Sequence, residues 1–329
     1  MKRTRLTVLA AMALSTTLTL TACGSDSDSD SNSESDSSSG DSSGGAVTVD
    51  TAMGEVEVPA APERVVVLDT GELDTALALG ITPVGAAETD TGTMGLSYLP
   101  QDQLADIENI GVVGQPNLEA INELDPDVII GSKIRVEEFY DELSAIAPTV
   151  LTETVGAPWK ENFALHAQAL GRADEAQAVV DAYDEHVAQV TEALGGAEAA
   201  AETEVSMLRF IEGANTRLYG RENFIGSILE DVGLGRPAIA DEAPDGFAVE
   251  ISPEQVDQAD ADVIYYTSYG SADASGEEAA VGGPLWDDLT AVQNDRAFPV
   301  DDDLWFLGIG YEAADQILTE LQESLAPTA

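Results

Sequence analysis

Positive charge is scarce in this chain, so where it sits is the first chemical signal. The 329 residues carry 62 Asp and Glu against 13 Lys and Arg, yet Arg209, Arg217 and Arg221 fall within thirteen positions. Lys133 and Arg135 make a second close pair. A guanidinium presents a planar fork of donors that matches the paired oxygens of an anion, so such clusters in an acidic protein suit the capture of a small anionic molecule. Repulsion from the acidic surface is screened over about 10 Å at moderate salt, which lets a local positive field survive. Arg209 and Arg217 are the stronger candidates; Arg221 can point outward, and any one of these cations could instead pair with a surface carboxylate. Tyr219, Tyr265, Tyr266, Tyr269, Trp159, Trp286 and Trp305 lie in the same stretches. Their faces suit flat ligand arms and cation-π contact. Alternation along a strand must bury one of Tyr265 and Tyr266, and Tyr265 is the expected one. Tyr219, Tyr269 and Trp305, next to Gly or at strand ends, join Trp159 as ligand candidates.

Other chemistries lack their parts. His166 and His186 are the only imidazoles, and both fall in a helical stretch where surface positions are expected. Direct capture of bare zinc or manganese usually recruits several His. No nucleophile, base and orienting residue converge, so neither an enzyme nor a resident cofactor is expected.

Those candidates need strands and helices to hold them. Ala46 to Pro59 reads as a hairpin. Strands follow at Arg64–Asp69, near Pro83–Gly85, at Asp127–Ile130 and Thr149–Leu151, with helices over Glu72–Leu79, Leu118–Leu124 and Val136–Ile146. Strands alternating with helices imply parallel sheet. From Trp159 to Leu194 there is no strand signal, and Ala176, Val179, Val180, Tyr183, Val187, Val190 and Leu194 recur at spacings of three and four, a helical stripe ended by Gly195-Gly196. A second set comprises strands Val205–Phe210, Asp262–Thr267 and Ala297–Val300 with helices Phe224–Val232, Pro253–Gln258 and Tyr311–Leu325. Arg209 and Arg217 then lie at and after a strand's carboxyl end, as do Lys133 and Arg135, and such edges face the ligand crevice of an open α/β sheet.

The N-terminus carries a separate message. Lys2, Arg3 and Arg5 precede an apolar, Thr-rich run from Leu6 to Ala22, the pattern of a signal peptide over residues 1–22. Its end, Leu20-Thr21-Ala22-Cys23, resembles the bacterial lipobox, which implies lipidation of Cys23, the only cysteine. With no second cysteine, no disulfide supports the fold. Residues 24–45 are almost wholly Ser, Asp, Glu, Asn and Gly, a tether that cannot bury a core. Gly40-Asp41-Ser42-Ser43-Gly44 fits a serine-hydrolase elbow by pattern only, because no strand precedes it and no helix follows. Removing residues 1–22 leaves 10 basic against 62 acidic residues, a net charge of −52. Nucleic acid is a poor partner for that surface.

Beyond the tether the residues resemble the iron-siderophore and cobalamin group of periplasmic-type substrate-binding proteins. The carriers are Pro62-Glu63-Arg64-Val65-Val66-Val67-Leu68, Leu73-Asp74, Ala78-Leu79-Gly80, Pro83-Val84-Gly85, Asn117-Leu118-Glu119 and Asp125-Pro126-Asp127-Val128-Ile129-Ile130. Arg217-Leu218-Tyr219-Gly220, Ile251-Ser252-Pro253-Glu254-Gln255 and Trp305-Phe306-Leu307-Gly308 follow in the second half. The resemblance implies an α/β fold of two Rossmann-like lobes (46–158 and 197–329) joined by a long rigid helix within 159–196, with the ligand cleft between. It implies a lipid-anchored monomer on the outer face of a bacterial membrane that passes a ferric siderophore to an ABC permease with a cytoplasmic ATPase. Haem, with an axial Tyr219 or Tyr269, and cobalamin remain alternative cargoes. A surface-tethered sensory protein is the alternative of another class. Arg64 resembles a structural position. Glu119 and Glu254, each in the first turn of a helix and one per lobe, match positions that the resemblance makes permease-docking carboxylates.

Overall fold

A computed structural model describes residues 45–90, 92 and 96–326. The signal peptide, Cys23 and the tether to residue 44 lie outside the described residues.

The hairpin forms as expected, with β1 (Ala46–Thr51) antiparallel to β2 (Gly54–Pro59) and Ala46 opposite Pro59. Val49 and Val58 turn inward to the core. The amide of Ala52 donates to the Leu151 carbonyl at 2.9 Å and ties the hairpin to the first sheet.

That sheet has six strands: β3 (Val65–Val67), β4 (Gly85–Glu88), β5 (Glu108–Val112), β6 (Gln115–Pro116), β7 (Val128–Ser132) and β8 (Thr149–Thr152), ordered β6-β5-β4-β3-β7-β8. All neighbours are parallel except β6. Continuous runs such as Val65-Val66-Val67 and Val128-Ile129-Ile130 are buried on both faces, the composition a helix-covered parallel sheet requires. Arg64 is structural, as expected: its Nε donates to the carbonyls of Leu124 and Asp125 at 2.9 and 3.0 Å. The Asp127 carboxylate receives the amides of Glu63 and Arg64, both at 2.8 Å.

Strand-to-helix turns aim the cleft residues. Asp69, just after β3, caps α1 (Thr70–Ala78) by accepting the Thr70 amide at 2.7 Å. The chain continues through α2 (Leu118–Glu123) and α3 (Tyr140–Ile146). The single helix expected over Val136–Ile146 is instead a helical turn at Lys133–Val136, a tighter turn at Glu137–Phe139, and α3. Arg135 therefore sits in a turn at the sheet edge.

The connector departs from one continuous helix. It comprises α4 (Trp159–Ala169) and α5 (Ala173–Ala193). Gly171, at φ 65°, turns the chain between them, and a Cβ there would run into the Ala60 carbonyl. The periodic stripe begins at Ala176, beyond this turn, so the spacing carried no signal for the break. The 21 residues of α5 span about 32 Å.

The second sheet has β9 (Val205–Ile211), β10 (Thr216–Tyr219), β11 (Ala248–Ile251), β12 (Val263–Tyr269) and β13 (Ala297–Pro299), ordered β11-β10-β9-β12-β13. β9, β12 and β13 are parallel, whereas β10 and β11 are antiparallel additions. Both additions are four residues long and escaped the sequence reading, which left Arg217 and Tyr219 in a loop. After β10 comes α6 (Phe224–Val232), capped by the Asn223 side chain and ended by Gly233. The Pro253–Gln258 helix forms as a tight turn over Pro253–Ala259.

The last helix, α7 (Tyr311–Leu325), packs on α5 and α1. Asp74 of α1 caps it, accepting the amides of Glu312 and Ala313 at 3.1 and 3.0 Å and the Tyr98 hydroxyl at 2.9 Å. Asp74 is 0% exposed, and burial pushes its carboxyl up to about 7 against those three hydrogen bonds. The carboxylate lies so close to Gly310 that a Cβ there would collide with it.

Candidate functional site

A cavity of about 490 Å³ opens between the two sheets. The first sheet lines it with the loops after its parallel strands: Asp69 and Thr70 after β3, Thr89 and Asp90 after β4, Arg135 after β7 and Val155–Ala157 after β8. The second contributes Arg209 on β9, Arg217 and Tyr219 on β10, the start of α6, Phe247, Tyr269 at the end of β12, and Phe306.

Register creates a charge problem here. Arg217 lies directly opposite Arg209 across the β9–β10 ladder, and like charges placed so repel. Asp302 resolves it with a bidentate pair, receiving Arg209 Nε at 2.7 Å and Nη2 at 2.6 Å. Arg209 is 8% exposed. Burial works against its charge, but the bonds to Asp302 and the neighbouring Tyr219 outweigh it and raise the pKa. The guanidinium carbon lies 4.6 Å from the Tyr269 ring centre and 5.3 Å from that of Phe306. Arg217 stands 5.6 Å over Phe247 and makes no ion pair among the described residues. From the opposite side, Arg135 Nε donates to Asp69 at 2.9 Å, with the arginine side chain 41% exposed.

Aromatic rings complete the wall. Tyr219 packs between Phe247 and Phe306 at 5.4 and 4.7 Å. The Tyr269 hydroxyl donates across the cleft to the Asp90 carboxylate. Burial, with Asp90 adding to it, pushes the Tyr269 phenol up to about 12. The site therefore offers three guanidinium groups and four aromatic faces, a surface for holding an anion.

Six of the eight ligand candidates line the cleft: Arg135, Arg209, Arg217, Tyr219, Tyr269 and Trp305. The other two need correction. Lys133 is outside the lining and pairs with Glu153 at 3.1 Å, because the turn after β7 sends alternate side chains to different sides. Trp159 is 2% exposed and belongs to an aromatic cluster with Tyr183, Phe224 and Tyr311, its Nε1 donating to Ser227 at 2.8 Å. Trp305 lines the cleft beside Phe306, with its indole buried, stacked 4.6 Å from Tyr265 and bonded through Nε1 to Glu320 at 2.6 Å. Tyr265 is buried, as the strand alternation required. Arg221 points outward to Asp241 at 2.6 Å. His166 is not a surface residue: it is 2% exposed. His186 is partly covered and contacts Asp315 at 2.6 Å.

Phe247, Phe306, Asp69, Asp90 and Asp302 were missed by the sequence reading. Phe247 follows Gly246, whose φ is 69°, the kind of Gly-aromatic step that marked Tyr219. The three acids gave no signal among 62. Glu119 and Glu254 are exposed in the first turns of their helices. Asn117 caps the first by accepting the Ala120 amide at 3.2 Å. The Ser252 amide donates to Gln255 at 3.1 Å in the second.

Two α/β sheets facing one cleft, bridged by helices, with cations converging from both sides and aromatic rings supplied by the second, define a two-lobed small-molecule binding protein. Residues 65–304 match the model of the periplasmic binding protein family, and the chain belongs to that family. It is 37% identical over 291 residues to a Bacillus subtilis protein named "Probable siderophore-binding lipoprotein YfiY", covering 85% of this chain and 88% of that one. It is 30% identical to the Fe(3+)-citrate-binding protein YfmC of the same organism, over 78% of this chain and 79% of the relative. Among solved structures, Staphylococcus aureus SirA complexed with staphyloferrin B superposes with a TM-score of 0.76 at 32% identity, covering 85% of this chain and 98% of SirA.

Proposed function

We propose that this protein is the substrate-binding lipoprotein of an ABC importer, capturing a ferric siderophore outside the membrane and delivering it to the permease and its ATPase. The observation that carries the reading is the convergence of Arg135 from one lobe with Arg209 and Arg217 from the other in a single aromatic-lined cleft. Ferric chelates of catecholate or carboxylate type are anions with flat arms, and forks and rings together recognise both features. The names of YfiY, YfmC and the SirA complex support the same cargo class. Haem would need an axial phenolate from Tyr219 or Tyr269, and at Tyr269 burial and Asp90 hold the proton more tightly than usual.

In this reading Cys23 carries the lipid, residues 24–45 are the tether, and the protein acts as a monomer. The lobes 46–158 and 197–329 close on the cargo about the 159–196 connector. Glu119 and Glu254, one on each lobe, meet the permease. The test is a tryptophan-fluorescence titration of the soluble domain with ferric citrate, a ferric catecholate, a ferric hydroxamate, haemin and cobalamin. Saturable binding of a ferric chelate is expected. Binding of haemin or cobalamin alone would replace the cargo, and binding of none would overturn the reading.

A further inference from the structure

The cleft has a polar backing that anion capture alone does not require. Behind Asp69 lies a second space of about 20 Å³, sharing Asp69, Val155 and Ile309 with the cleft. Glu72 enters it from the first turn of α1 and His166 from α4. Both are buried, Glu72 Oε1 is 3.9 Å from His166 Nε2, and neither Glu72 Oε2 nor His166 Nε2 has a hydrogen-bond partner among the described residues. A charged group without partners is costly there. Burial, with Asp69 adding to it and Arg135 opposing, pushes the Glu72 carboxyl up to about 8. Burial lowers the His166 imidazole to about 4. At neutral pH the facing pair is therefore uncharged.

The charged and titratable groups facing Glu72 are few. Asp69 lies on its own turn and is paired at 2.9 Å with Arg135 from the turn after β7, and His166 comes from α4. β3 brings only valines, and the segment before α7 brings Ile309. Asp74, further along α1, is engaged by Tyr98 and the start of α7.

We propose that Glu72 is a proton-linked positioning residue for Arg135, so that capture of an anion by Arg135 is accompanied by proton uptake at Glu72. This deepens the capture reading above and rests on it. An ionised Glu72 places a second negative charge behind Asp69 and holds the guanidinium against the N-terminal lobe. Neutral Glu72 leaves Asp69 alone to hold it, so the fork can pass to an incoming anion. Once Arg135 is neutralised by that anion, the charge of Asp69 acts on Glu72 unopposed and its proton is bound more tightly. Linkage makes the two effects one: affinity is steady below about pH 8 and falls as the pH rises above the unliganded Glu72 value, by up to about tenfold per pH unit until the liganded value is reached.

The test reads Glu72 directly, in the intact protein, by infrared spectroscopy of its carboxylic-acid carbonyl band. Glutamate-selective carbon-13 labelling separates the band from Asp74, and E72Q, where it folds, confirms the assignment. The band should titrate near pH 8. R135Q, which stands in for the neutralised cation, should move the midpoint up. D69N, which can still cap α1, should move it down. An unshifted midpoint in R135Q, or a Glu72 already ionised at pH 6, would overturn the proposal. Calorimetry with ferric citrate near pH 8.5, in two buffers of different ionisation heat, should then show proton uptake that E72Q lacks; uptake unchanged in E72Q refutes it. Failure of ferric citrate to bind bears only on the cargo, since the infrared titrations need no ligand.

Discussion

Arg209 and Arg217 face one cleft but should respond oppositely to the same substitution. Arg217→Gln removes a cation that makes no ion pair among the described residues and stands over the Phe247 face at 5.6 Å, an interaction of about 0.5–1 kcal/mol. The fold should lose no more than that. An anionic chelate loses a charge-assisted bond of about 1.5–3 kcal/mol, or about ten- to a hundredfold in affinity. Arg209→Gln removes both bonds to Asp302, 2.7 and 2.6 Å long, and strands a carboxylate whose side chain is 14% exposed. Breaking such a pair from one side costs about 3–5 kcal/mol, several degrees in melting temperature for a domain of this size. The cost should depend on pH in a defined direction. Burial already raises the Asp302 carboxyl against the pull of Arg209, and without the arginine it rises further. The folded state then binds the proton more tightly than the unfolded state, so R209Q regains stability as the pH falls and loses it as the pH rises. Thermal melts at about pH 5 and 7.5, with ferric citrate titrations of both variants, provide the assay. R209Q should be rescued in stability, and not in binding, by adding D302N. The reasoning fails if R209Q melts with the unaltered protein at both pH values, or if R217Q is the less stable of the two.

Asp74 sets a second pH dependence: its folded value of about 7 exceeds the ordinary 3.8, so stability should decline as pH rises between them, and D74N should flatten that slope in melts across the range. Gly310→Ala, which drives a methyl into the Asp74 carboxylate, should cost about 1–3 kcal/mol in denaturant unfolding. Cys23→Ser should move the protein from the membrane fraction to the culture medium, and retention in the membrane would refute the lipid anchor. Changing Glu119 and Glu254 together to Ala should leave chelate affinity within about twofold and stability nearly intact while iron uptake by cells falls. Normal uptake would remove their docking role.

Local signals in the chain were strong wherever one stretch decided its own structure. Valine and isoleucine runs buried on both faces, the hairpin, the Asn117 and Asn223 caps and the α7 stripe from Tyr311 to Leu325 all depend on neighbours close in sequence, so the two α/β sheets and the helical connector were legible. So was the idea that rare arginines at strand ends would meet. Tertiary structure decided the rest. β10 is a strand because β9 and β11 flank it, and that pairing alone sets Arg217 beside Arg209. Trp159 and Trp305 looked like ligand platforms, but which face of an indole is covered depends on α5, α6 and β12 arriving from far along the chain. Asp302 and Asp69 were invisible among the other acids, because a carboxylate becomes special only when the fold buries it against a guanidinium. His166 became a buried neutral group facing Glu72 for the same reason: burial and electrostatic partnership are set by three-dimensional contact, which residue order alone does not record.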